Sequence, residues 1–274
     1  MLPYFRRYSI YVSIIAIALP VIVSTVWPLI TGQMMAASIT GMVAMFALFV
    51  LGLFVGYAVF GKRADAEAEK YLSMYNDDCD PKSLVDEGAK LASSIQFPCD
   101  QSGSWFMAYY AQALLDLGEV DKAKEVLSGL RASLVAAKKP VVKVGILANL
   151  LPLEEKAEGP SAAQALVQEG IRLCGEVPGA GAAQFREFFE SQQKVLEAEL
   201  SGNPADIAKL SASIVGNDRY PMRIRVEYAW REASAQYKLG DLAKEKSCLE
   251  FVASHGGKLA LAAKAKERLG KIEA

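Results

Sequence analysis

One uncharged stretch constrains this chain more than any other feature. From Tyr8 to Gly61, 54 residues pass without an Asp, Glu, Lys, Arg or His, and every acidic residue lies at or beyond Asp65. An apolar helix needs about 20 residues to cross the hydrocarbon core of a bilayer, so the stretch is too long for one span and long enough for two. The sequence predicts spans over residues 8–30 and 37–60, joined by a turn at Thr31, Gly32 and Gln33. A cleaved leader is the rival reading of the first segment, but a leader's apolar region is only about 7–15 residues and is not followed at once by a second one.

Positive charge near the stretch is confined to Arg6 and Arg7 before it and Lys62 and Arg63 after it. By the preference of Lys and Arg for the cytoplasmic side, both termini are expected there, in a multi-pass protein of the cell membrane with the lipid bilayer as a partner. Gly52 and Gly56 form a GxxxG pattern, which lets helix backbones approach closely. That pattern suits contact between the two spans of one molecule, or a homodimer. No ionisable side chain lies within the spans to carry a proton or ion, which argues against a transporter.

From Ala64 onward the chain becomes charged and Ala-rich, with 26 Lys and Arg against 31 Asp and Glu. An acidic balance does not favour nucleic acid as a partner. Periodicity is helical throughout: Leu84, Val85, Gly88, Leu91, Ala92 and Ile95 form one stripe, and Ala163, Leu166, Val167, Gly170, Ile171 and Cys174 another. The expected organisation is a hairpin over residues 1–63, a linker helix over 64–80 and a helical domain over 81–274.

Within that domain, tight turns are expected at Gly118, Gly159, Gly202 and Gly240, spaced 41, 43 and 38 residues apart. Gly suits the left-handed residue that ends a helix, and Pro160 and Pro204 suit the start of the next. Four antiparallel helix pairs are predicted, with a leading helix over 81–96 and a terminal one over 258–272. Pro152 is expected to kink or end the helix that follows Pro140. The apolar residues from Val141 to Leu153 read as buried core.

Two of the pairs resemble tetratricopeptide repeats. The run from Ala111 through Gly118 and Ala123 to Leu127 looks like that repeat's small residue, Gly turn, and Ala followed by a large apolar residue. The run from Ala233 through Tyr237 to Gly240 is similar to the first half, with Glu245 standing where Ala is expected. Small residues are needed where paired helices approach closely. The resemblance implies a curved solenoid whose first helices line a groove for a protein or peptide partner. It places Trp105, Gln112, Asp116, Glu227, Trp230, Ser234, Tyr237 and Lys238 on that groove. The aromatic set Trp105, Phe106, Tyr109 and Tyr110 covers more than one helix face, so part of it belongs to the core. Phe185, Phe188 and Phe189 read as packing. Arg219, Arg223, Arg225 and Arg231 form a basic stretch that suits either a solvated face or an acidic peptide.

Catalytic chemistry is not legible. Cys79, Cys99, Cys174 and Cys248 lack metal-ligand spacing, and a helix between Cys79 and Cys99 holds them too far apart for a disulfide. His255, the only histidine, lies in a helix-ending sequence. No cofactor or metal is expected, and the chain does not read as an enzyme. The fold class is therefore all-α, a two-helix transmembrane hairpin followed by an α-solenoid of tetratricopeptide-like pairs. The expected function is a bacterial, membrane-anchored scaffold for protein–protein interaction. The alternative is a structural or assembly subunit of a larger membrane complex, acting through the hairpin.

Overall fold

The computed structural model describes residues 3–31, 39–99, 101–177 and 180–273, and all regular structure among them is helical. Twelve helices are described: α1 (Pro3–Thr31), α2 (Ile39–Asn76), α3 (Pro81–Ser94), α4 (Gln101–Asp116), α5 (Val120–Ala136), α6 (Pro140–Glu158), α7 (Pro160–Cys174), α8 (Ala180–Ser201), α9 (Pro204–Val215), α10 (Met222–Leu239), α11 (Leu242–His255) and α12 (Ala260–Glu273). The chain divides into two compact units, Met1–Glu69 and Lys70–Ala274.

In the first unit, α1 and α2 pack on each other at their small residues. A Cβ on Gly52 would meet the Ala16 backbone at 2.9 Å, and one on Gly56 would meet Val12 Cγ1 at 3.0 Å. The GxxxG pattern therefore joins two helices of one chain. The transmembrane hairpin is corrected by the structure: among the described residues no helix is long and apolar enough to cross a membrane. The multi-pass membrane localisation is corrected with it. The expected turn lies outside the described residues except for Thr31, which ends α1. The helix expected over 64–80 is no separate element, because α2 continues to Asn76.

In the second unit the predicted pairs are present: α4 with α5, α6 with α7, α8 with α9, and α10 with α11, preceded by α3 and closed by α12. Each turn glycine has positive φ, and at Gly240 (φ 76°) the left-handed conformation lets its N–H reach the Tyr237 carbonyl at 3.1 Å. Asp80 caps α3 by accepting from the Ser83 N–H at 3.1 Å, ahead of Pro81 in the first turn. Successive pairs stack, with α4 against α6, α6 against α8, and α7 between α6 and α8, as in a helical-repeat solenoid.

The core follows the predicted stripes. Val144, Leu147 and Leu151 of α6, Ala163, Val167, Leu173 and Cys174 of α7, and Phe189 and Leu196 of α8 form one buried cluster. Gly170 sits beneath the Phe189 ring, where an added Cβ would come within 2.5 Å of Cε1. Pro152 does not end its helix, since α6 runs through it to Glu158. Burial of Leu150, Leu151 and Leu153 around it, each worth about 1.5–3 kcal/mol, offsets the ladder bond that Pro cannot make.

Candidate partner-binding groove

The first helices α4, α6 and α8 stand side by side, and α10 lays a charged stripe against them. Arg223, Glu227 and Arg231 are spaced four residues apart, so a helix puts all three on one face. Arg223 comes first and is buried, at 2% exposure. Its guanidinium lies over the Tyr75 ring at 4.6 Å and near the Tyr109 ring at 5.8 Å. Its Nε donates to Asn76 Oδ1 at 3.3 Å and its NH1 to Glu227 Oε1 at 3.0 Å.

Glu227 is the middle of the stripe. Its Oε1 also accepts from Lys156 Nζ of α6 at 3.0 Å, and the same ammonium lies 2.6 Å from Asp116 Oδ1 of α4. Asp116 in turn accepts from the Tyr75 hydroxyl at 2.6 Å. Arg231, the third member, pairs with Glu155 of α6 at 2.7 Å and with Glu199 of α8, and packs over Tyr228 at 4.8 Å.

The electrostatics follow from this geometry. Burial pushes the Glu227 carboxyl up, but Lys156 and then Arg223 outweigh it and hold its pKa down at about 2. Burial works against the Arg223 charge, yet Glu227 prevails and the guanidinium is held more firmly protonated than usual. Burial, opposed by Arg231, pushes the Glu199 carboxyl up. Burial raises the Tyr75 phenol well above its ordinary range, so it stays a donor to Asp116.

A second contact closes the unit between its two ends. The Lys258 N–H donates to the Cys79 carbonyl at 3.0 Å, and the Lys258 ammonium pairs with Asp80, 178 positions away. Cys79 holds φ at 52°, a left-handed conformation that a residue with a Cβ adopts only when its surroundings impose it.

The eight residues expected on the groove separate into groups. Asp116 and Glu227 meet on one ammonium. Trp105 is half-buried and packs edge-on against Tyr109 at 6.1 Å, one residue removed from Arg223. Gln112 is buried in the helical layer. Trp230, Ser234, Tyr237 and Lys238 lie elsewhere, toward the free end of α10. There Arg268 of α12 sits 5.9 Å from the Trp230 ring and 4.9 Å from the Tyr237 ring, and the Ser234 hydroxyl returns to the Trp230 carbonyl. Tyr237 and Lys238 are exposed.

Sequence reasoning named Arg223 and Arg231 only as part of a basic stretch. The structure gives both of them carboxylates of the same chain, while Arg225 binds the Val215 carbonyl and Asp218. Lys156, Glu155 and Glu199 were missed; the only signal available was the four-residue spacing of Arg223, Glu227 and Arg231. Ser254 and His255 are adjacent at the exposed end of α11, and the Ser254 hydroxyl is directed to helix carbonyls. All four cysteines are free thiols.

No family model, curated protein or solved structure matches the chain. Among the described residues the fold is all-helical with neighbouring helix pairs in contact, which is compatible with a helical-repeat solenoid.

Proposed function

We propose that this chain is a scaffold for protein–protein interaction, of tetratricopeptide type, whose face of α4, α6 and α8 receives a helical segment of a protein partner. The observation that carries this reading is the packing of α10 on that face through side chains alone suited to a helix: a stripe at four-residue spacing answered by Tyr75, Lys156, Glu155 and Glu199. Helix-in-groove recognition uses this spacing of anchors. Chemistry is a weaker reading, because Asp116, Lys156, Glu227, Arg223 and Arg231, the charged groups of this face, are engaged in ion pairs with one another or with Glu155 and Glu199.

The test is photo-crosslinking in cells from the full chain, with the probe placed at Trp105 beside the face or at Tyr237 at the exposed edge. Capture of a protein from position 105 that is lost on Lys156→Glu supports the reading. Capture only from position 237 moves the function to the α10–α12 edge, and capture from neither position overturns the scaffold.

A further inference from the structure

We propose that the groove is occupied by the chain's own α10, which stands in for the partner, and that the partner is a helix carrying the same basic, acidic, basic order at four-residue spacing. This inference rests on the scaffold reading and adds to it the kind of partner and the way access is controlled.

The argument begins with the nature of the contact. The helix pairs are held by apolar clusters, as between α6, α7 and α8. The contact of α10 with α4 and α6 instead runs through Arg223, Glu227 and Arg231 on one side and Tyr109, Lys156 and Glu155 on the other. A buried ionic contact is a poor stabiliser, because desolvation offsets most of the attraction, and it is a strong selector, because a wrong charge leaves a buried partner unanswered. The face also has a charge order of its own. The Tyr75 and Tyr109 rings with Asn76 receive Arg223, an ammonium receives Glu227, and two carboxylates receive Arg231. Any helix seated there must present cation, anion and cation in sequence.

The second part of the argument is that the contact has a release point. The chain reaches α9 through Gly202, at φ 66°, and Asn203. At the other end the α11–α12 turn is fastened to Cys79 and Asp80 by Lys258. The apolar cluster that joins α8 to this part is small, with Val195 of α8 against Ile214 of α9 and Tyr228 of α10. Among the described residues, 204–273 meet the rest of the unit through the Gly202–Asn203 turn, this small apolar patch, the Gly257 and Lys258 contacts with residues 78–80, and the charged stripe. When α10 occupies the face most of the time, a partner's apparent affinity falls in proportion to the fraction of open molecules.

The experiment uses the full chain and two synthetic peptides. One copies residues 221–239; the other carries Arg223→Glu, Glu227→Lys and Arg231→Glu. Peptide binding is measured on the unsubstituted chain and on Lys258→Glu, which sets a carboxylate against Asp80 at an exposed position. Binding of the native-order peptide at least tenfold tighter to Lys258→Glu, with no binding of the reversed peptide, is expected. Equal binding of both peptides overturns the proposal, as does no binding where hydrogen exchange in α10 has quickened. Native-state hydrogen exchange on the unsubstituted chain decides the matter if Lys258→Glu does not fold. Exchange in α10 about tenfold faster than in α6 and α7 is expected, and equal protection across these helices overturns a movable α10. Partner capture from position 105 without peptide binding leaves the scaffold standing and removes only the stand-in role of α10.

Discussion

Lys156 of α6 and Glu227 of α10 are 71 positions apart and meet at 3.0 Å, with Asp116 on the other side of the same ammonium at 2.6 Å. One lysine therefore answers two carboxylates from two other helices. Removing it leaves Glu227 with Arg223 alone and Asp116 with only the Tyr75 hydroxyl.

Lys156→Met is expected to destabilise the second unit by about 1–3 kcal/mol, below the full scale for a buried ion pair because the ammonium is 26% exposed and Glu227 keeps Arg223. Urea unfolding followed by circular dichroism measures it. A loss below about 1 kcal/mol would mean that water already screens the pair.

Acid provides a second handle on the same group. Because the folded Glu227 carboxyl titrates near pH 2 and an unperturbed one near 4.5, its contribution is fully present above about pH 4.5 and is lost as pH falls toward 2. Glu199, whose pKa is raised, acts in the opposite sense and is relieved as it protonates. Glu227→Gln is expected to flatten the fall in stability between pH 4.5 and 2.5; an unchanged slope would assign the acid sensitivity to other carboxylates.

Gly170→Ala would normally strengthen a helix by up to about 1 kcal/mol. Here the new methyl would lie 2.5 Å from the Phe189 ring, and a net loss of about 1–3 kcal/mol in unfolding free energy is expected. Phe189→Leu in the same chain should remove most of the penalty of the alanine, which a thermodynamic cycle of the two substitutions would reveal.

Glu245 is buried at 1% exposure where the resembling repeat carries Ala, and Arg268 covers it with Nε at 2.7 Å from Oε1. Its Oε2 has no hydrogen-bond partner. Arg268→Leu alone is expected to cost about 3 kcal/mol, and the double change with Glu245→Ala to recover most of it, because replacing both members of a buried pair removes the unanswered charge. Thermal unfolding of the three variants tests this, and failure of the double variant to recover would mean that the pair holds α12 by packing.

Local signals made much of the second unit legible. Gly118, Gly159, Gly202 and Gly240 announced the four turns because a left-handed residue after a helix has few other occupants. Phe189 and the α7 stripe announced the core because their periodicity is that of a helix face. Pro152 did not end its helix, because a proline's effect depends on how much apolar surface its helix buries on either side. The apolar stretch misled: among the described residues no helix is long and apolar enough to cross a membrane. The charged face of α10 was hidden for a different reason. An Arg, a Glu and an Arg four apart read equally well as a wetted surface, and only the arrival of Lys156, Glu155 and Glu199 from distant positions distinguishes the two. Of the residues that the tetratricopeptide analogy named, Asp116 and Glu227 come together on the Lys156 ammonium.

The fastening of Lys258 to Cys79 and Asp80 has a mechanical consequence. In an open stack of repeats, each repeat leans only on its neighbours, so the array stretches like a spring and tolerates trimming from either end. Here the last turn grips the residues that precede the first repeat. Trimming from the C-terminus would therefore loosen α3 before it disturbs α6, and tension applied to one end of the unit would be felt at the other.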